Sequence, residues 1–227
     1  LKFKDFDFIP LFWMASEDHD FQEISSLNIF NKNLSVVKED GIGVGKLNPE
    51  IFSPILESLK DLFKNDFRFK NLESIFSASL NQQNWANATR YWISKVFEKE
   101  NLIVIDADDV KLKKLFFPVF KNELEKQFIY NSVENTNNKL RSLGYETKIN
   151  PRVLNLFFLE DKKRHRIIFE NNVFKIGDSN LKLEEILSLL NSSPEKFSPN
   201  VLMRPIYQEL LLPNLAVSYT HLRAHET

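Results

Sequence analysis

The chain has no cysteine. That excludes disulfides, thiolate metal sites and a cysteine nucleophile, and it fits a reducing compartment. No apolar run approaches the roughly 18–20 residues needed to span a bilayer, so no membrane association is expected. Glycine is scarce, with five copies. The stretch Gly41-Ile42-Gly43-Val44-Gly45 alternates its glycines and lacks the lysine of a phosphate-binding loop, so it reads as an ordinary loop. Charge of one sign is also missing. The formal net charge is −1, and Lys/Arg are scattered among Asp/Glu without the basic stripe of a nucleic-acid binder. The opening LKFKDFDFIP has neither an initiator methionine nor the layout of a signal peptide. It is expected to be internal to a longer, cytoplasmic protein.

What is present fits a globular protein large enough to bury a sizeable core. Phenylalanine is over-used, with 21 copies. Together with abundant Lys, Asn and Ile this reads first as AT-rich codon usage and only second as structure. Ile9–Ala15 is a short uncharged apolar run suited to a strand buried on both faces, and Asn101–Asp108 holds a second that ends in carboxylates. Helical periodicity marks 49–64, 84–98 and a long amphipathic region over 110–142. This alternation predicts an α/β core over 1–144. Residues 145–200 form a connecting region, with a strand at 153–159, a hairpin turning at Glu170-Asn171-Asn172 and a helix near 182–191. Residues 201–216 return to the core. The last stretch, Val217–Thr227, matches the translation of a transposase-adapter DNA used in library preparation and is expected to be a non-native tail. If it were native, His221 and His225 at i,i+4 would share one helix face.

Three polar groups are candidates for chemistry. Glu17-Asp18-His19-Asp20 directly follows the first apolar run, and ligands of open parallel sheets bind beyond the carboxyl ends of the strands. The flanking carboxylates favour imidazolium at His19, raising it above a reference of about 6.5. An extended run would set Glu17 and His19 on one side and Asp18 and Asp20 on the other. Such a cluster suits holding a cationic amine and moving its proton; helix capping is the alternative use of the same residues. Asn200, Arg204 and Gln208 recur at i,i+4, so a helix from Asn200 would present all three on one face, with Arg204 a fork for a carboxylate or phosphate. Pro205 allows for a kink or a later start. Arg152 and Asn155 interrupt an apolar strand and need partners if buried.

The segments FWMASEDHDFQEI, ATRYWISKVFEKENLIVIDADD, PRVLNLFFL and FSPNVLMRPIYQELLLPNLA, in this order, resemble the bacillithiol-biosynthesis enzymes that add cysteine to glucosaminyl-malate, the BshC cysteine-ligase family. The resemblance covers residues 1–216. It implies a partial Rossmann-like core, a small connecting region with a β-hairpin, and a C-terminal coiled coil that this chain lacks. It also implies an enzyme forming an amide between the cysteine carboxylate and the glucosamine amine, compatible with ATP as activator. A metal is left open, and a homodimer of the full-length protein is allowed. Catalysis would fall to Glu17, Asp18, His19 and Asp20, and substrate binding to Arg152, Asn155, Asn200, Arg204 and Gln208. The family's upstream Gln-Gln-Pro-Gly segment is missing, so the piece alone is expected to be inactive. Two other readings stay open: an adenylate-forming or nucleotidyl-transfer enzyme on a related fold, and a non-enzymatic helical interaction protein.

Overall fold

A computed structural model of the protein describes residues 7–37, 42–64, 66–160 and 163–212. The predicted adapter-derived tail lies outside the described residues. The described residues form two compact units, one from those up to 109 with 159, 160, 163 and 164, and one from 110–158 with 165–212.

In the first unit the two predicted apolar strands pair. Leu11–Met14 forms β1 and lies parallel to β4, Ile103–Asp106, with Leu11 opposite Ile103 and Met14 opposite Asp106. Parallel pairing brings both carboxyl ends to the same level, so Ser16 and Asp106 become neighbours. Between them the chain makes a small antiparallel hairpin, β2 (Ser26–Ile29) and β3 (Lys32–Ser35). No pattern predicts it, because Leu27 and Leu34 are its only inner apolar pair and both strands are largely exposed. The predicted 49–64 helix is a 3₁₀ turn at Pro49–Phe52 running into α1, Ser53–Phe63. Asn48 caps it, its side chain accepting from the Glu50 amide at 3.1 Å. An unpredicted helix, α2 (Phe69–Leu80), follows, then α3 (Trp85–Val96), whose cap Asn84 accepts from the Asn87 amide at 2.9 Å. Aromatic packing ties these elements together. The Phe52 and Trp85 ring centroids lie 3.9 Å apart, Phe63 and Phe69 5.2 Å, and Phe76 and Trp92 5.9 Å.

In the second unit, the amphipathic region read as one stretch is three helices: α4 (Val110–Leu115), α5 (Phe117–Lys126) and α6 (Phe128–Ser142). Pro118 sits in the first turn of α5, where its missing N–H is harmless, and Gln127 adopts φ 48°, which ends α5 and starts α6. The connecting region supplies a five-stranded sheet of β5 (Leu156–Glu160), β6 (Lys163–Glu170), β7 (Val173–Ile176), β8 (Ser179–Leu181) and β9 (Phe197–Pro199), in the order β8-β7-β6-β5-β9. The hairpin turns where predicted. Asn171 and Asn172 take φ 51° and 62°, the left-handed pair that a two-residue turn with matching twist needs, and Glu170 faces Val173. Helix α7 covers Leu183–Ser192 and α8 covers Arg204–Leu211.

The expected helix from Asn200 is corrected by α8. Pro205 occupies the first turn, so the helix begins at Arg204 and Asn200 lies before it. The core of this unit is an aromatic ladder. Phe158 meets Phe197 at 5.4 Å, Phe197 meets Phe120 at 6.2 Å, Phe120 meets Phe116 edge-on at 4.9 Å, and Phe116 meets Tyr207 at 4.6 Å. All five rings are buried.

Candidate active site

The carboxyl end of β1 does not continue as an extended segment. The Asp18 amide donates to the Ala15 carbonyl at 3.1 Å, closing a turn immediately after the strand. The expected alternation of Glu17 and His19 against Asp18 and Asp20 is therefore replaced by a folded-back run. Two forces fold it. Asp18 Oδ1 accepts from the His19 amide at 2.7 Å and from the Asp20 amide at 3.4 Å, the local bonding that makes aspartate a turn residue. From the other side the glycine segment docks on the turn. The Val44 amide donates to the Asp18 carbonyl at 2.7 Å and the Gly45 amide to the Ser16 carbonyl at 2.9 Å. A Cβ on Gly45 would meet Ser16 Cβ and the Ser16 carbonyl oxygen at 2.6 Å each, so only glycine permits this approach. Val44 and Gly45 thus hold the turn.

The four ionisable residues end in different surroundings. Glu17 is 3% exposed, Asp18 and His19 are half-buried, and Asp20 is exposed. The His19 ring is oriented by its own turn, with Nδ1 3.1 Å from the Glu17 carbonyl oxygen. A carbonyl only accepts, so Nδ1 carries the proton and Nε2 the lone pair in the neutral ring. At the end of β4, Asp106 receives the Ser16 hydroxyl and, at 3.0 Å, the Asp108 amide. Arg90 on α3 approaches its other oxygen at 3.7 Å. Ser16, Arg90 and Asp106 were not singled out from sequence. The signal for Asp106 was its position at the carboxyl end of a strand parallel to β1. Among the described residues, no three His, Asp or Glu side chains are placed to hold a metal ion together.

On the second unit the structure brings Asn155 and Asn200 together around a carboxylate absent from the sequence candidates. Glu123 on α5 is fully buried. One of its oxygens accepts from the Asn155 amide at 3.0 Å and from Asn155 Nδ2 at 3.1 Å, and the other from the Ile129 amide at 3.1 Å. Asn155 Nδ2 also donates to the Arg152 carbonyl at 2.9 Å, so both its protons have acceptors within the protein. Asn155 Oδ1 takes the Asn200 Nδ2 proton at 2.8 Å, and Asn200 Oδ1 accepts from the Leu202 amide at 2.9 Å. Arg204 and Gln208, one turn apart on α8, are half-buried. Arg152 is exposed, its guanidinium 6.0 Å from the Phe157 ring centroid. Desolvation and then the Arg166 charge lower its pKa.

Burial raises the Glu123 carboxyl above its ordinary 4.5, opposed by the three amide donors. The folded state therefore holds the proton more tightly than the unfolded chain. Stability contributed at this residue is greatest below pH 4.5 and falls as pH rises through the raised folded value. Hydrogen exchange of α5 amides, measured against pH, is expected to show protection in the native protein declining over this interval relative to Glu123→Gln. A parallel pH dependence in the two proteins would contradict it.

Among the described residues, no helix is long and apolar enough to cross a membrane. The family described as bacillithiol biosynthesis BshC, N-terminal Rossmann-like domain, matches residues 1–218. Similar curated proteins, each named "Putative cysteine ligase BshC", come from Flavobacterium johnsoniae (41% identical over 217 residues), Flavobacterium psychrophilum (39% over 221) and Christiangramia forsetii (35% over 221). Each alignment covers 94% of this chain but only 41%, 40% and 41% of the respective relative, so the chain spans well under half their length. The β1–β4 pair is parallel and carries the polar turn at its carboxyl end, the side on which open α/β sheets in general bind ligands. The chain belongs to the BshC family of bacillithiol biosynthesis, and residues 1–218 correspond to that family's N-terminal Rossmann-like domain.

Proposed function

We propose that the full-length enzyme carrying this chain adds cysteine to glucosaminyl-malate by forming an amide bond, in the cytoplasm. The observation that carries the chemistry is the His19 geometry, with Nδ1 directed at the Glu17 carbonyl and Nε2 left as the basic nitrogen. The glucosamine amine arrives as an ammonium ion and must lose a proton before it can attack. A carboxylate of the 17–20 run holds the ammonium, and His19 Nε2 takes the proton. As the amine nitrogen bonds to the activated carboxyl carbon of cysteine, the bond from that carbon to its leaving group breaks. On the second unit Arg204, with Gln208 one turn along the same helix, anchors a substrate carboxylate. Exposed Arg152 offers a second cation. Asn155 and Asn200 contribute through the buried network that shapes this region.

ATP is the proposed source of carboxylate activation. Gly43 and Gly45 are packed on the Ser16–His19 turn and do not fit a phosphate cradle. Incubation of the full-length enzyme with cysteine, glucosaminyl-malate and ATP, read by mass spectrometry, is expected to give the cysteinyl adduct. No adduct with all three present would refute the reading. A nucleotide-linked acceptor formed without cysteine would favour nucleotidyl transfer instead.

A further inference from the structure

Glu123 lies off the reacting groups, yet its hydrogen bonds run to the start of the helix that bears Arg204. It sits on α5, fully buried, and accepts from three N–H donors. Two of those donors belong to Asn155, which passes the constraint on twice. The Asn155 carbonyl accepts from the Asn200 amide at 3.0 Å, and its side-chain oxygen accepts from Asn200 Nδ2 at 2.8 Å. Asn200 in turn organises the turn before α8. Its side chain accepts from the Leu202 amide at 2.9 Å, and its carbonyl accepts from the Met203 and Arg204 amides at 3.1 Å each. The third donor, the Ile129 amide, lies in the first turn of α6, so Glu123 also caps that helix. A buried carboxylate is unfavourable unless fully hydrogen-bonded. Amide donors alone could be met by backbone carbonyls, as elsewhere in the fold. With three donors to satisfy, the two oxygens of Glu123 take one from α6 and two from Asn155.

We propose that Glu123 is a positioning residue for Arg204, fixing through Asn155 and Asn200 the turn on which α8 begins and hence the placement of the guanidinium. The proposal rests on the reading of Arg204 as a carboxylate anchor. Glu123→Gln tests it, because glutamine supplies one acceptor oxygen and turns an NH₂ group toward donors that need the other. Glu123→Asp keeps both oxygens but retracts them by one methylene, and it carries the same test where the glutamine variant does not accumulate as folded protein.

The measurement is a double-mutant cycle in the full-length enzyme, reading kcat and KM for cysteine and glucosaminyl-malate separately. Arg204→Ala is expected to raise KM for one carboxylate substrate about tenfold or more. Glu123→Gln is expected to raise KM for that same substrate, by roughly fivefold, with a smaller effect on the other. In the Arg204→Ala background the Glu123 substitution should change KM by less than about twofold, since the group it positions is gone. Equal factors in both backgrounds would show that Glu123 acts independently of Arg204 and would overturn the proposal. An Arg204→Ala enzyme with unchanged kinetics would instead reject the anchor reading itself, so the two failures are distinct.

Discussion

Gly45→Ala is expected to cut turnover of the full-length enzyme by about a hundredfold while leaving most of the fold in place. The added Cβ would sit 2.6 Å from the Ser16 Cβ and carbonyl oxygen. The carbonyl is backbone, so it cannot rotate away as the end of a flexible side chain does. Either the glycine segment or the Ser16–His19 turn must shift, at a cost of about 1–3 kcal/mol for the overpacking. The shift breaks the 2.9 Å bond from the Gly45 amide to Ser16 and carries His19 with it. Displacing a catalytic group by about 1 Å is worth about a hundredfold in rate. Gly43→Ala is the matched control. A Cβ there meets His19 Cε1 at 3.6 Å, an ordinary contact, and the residue already has φ −57°. Steady-state turnover of the two variants side by side checks this. Equal losses would mean that the close approach at Gly45 does not hold the turn.

Phe120→Ala should give the largest loss of stability. Its ring is fully buried in the second unit between Phe116 and Phe197, and those two lead on to Tyr207 and Phe158. Removing the ring from the middle of the ladder opens a cavity that α5 and β9 cannot collapse into without losing their own packing. The expected cost is about 3–5 kcal/mol. Hydrogen exchange of the α5 amides in the full-length enzyme reports it locally, as a fall in protection that spreads to α8 through Tyr207. Protection changed by less than about 1 kcal/mol would show that the ladder is not the core of this unit.

The strands carrying the site were legible as short apolar runs, Leu11–Met14 and Ile103–Ile105, but the expected burial on both faces is not met: Leu11, Phe12 and Ile103 are exposed and of the two strands only Met14 is buried. The β6–β7 hairpin was legible because Asn171-Asn172 tolerates the positive φ its turn demands. The shape of the polar turn was not. Asp18 is a local turn former within the run, but the rest of the instruction comes from Gly43–Gly45, some two dozen residues on, which the missing lysine made look irrelevant. Helix α8 depended on where Pro205 falls relative to the helix start, and placing it in the first turn moved Asn200 off the helix. Glu123 was not among the residues singled out from the sequence. Its burial follows from the Asn155 segment and α6 closing around it, and that packing has no signature along the chain. Phenylalanine carried both meanings. Phe30 and Phe67 are 79% exposed, as a compositional excess leaves them, while Phe116, Phe120 and Phe197 are wholly buried.

In the proposed mechanism the amine gives up its proton to His19. Turnover of cysteine and glucosaminyl-malate by a His19→Ala full-length enzyme, with hydrogen-exchange protection at β1 and β4 confirmed to match the parent, tests it most directly. A loss of about 10²–10⁴ in kcat is predicted, the usual contribution of a general base. A folded His19→Ala enzyme with unchanged kcat would show that His19 is not the base.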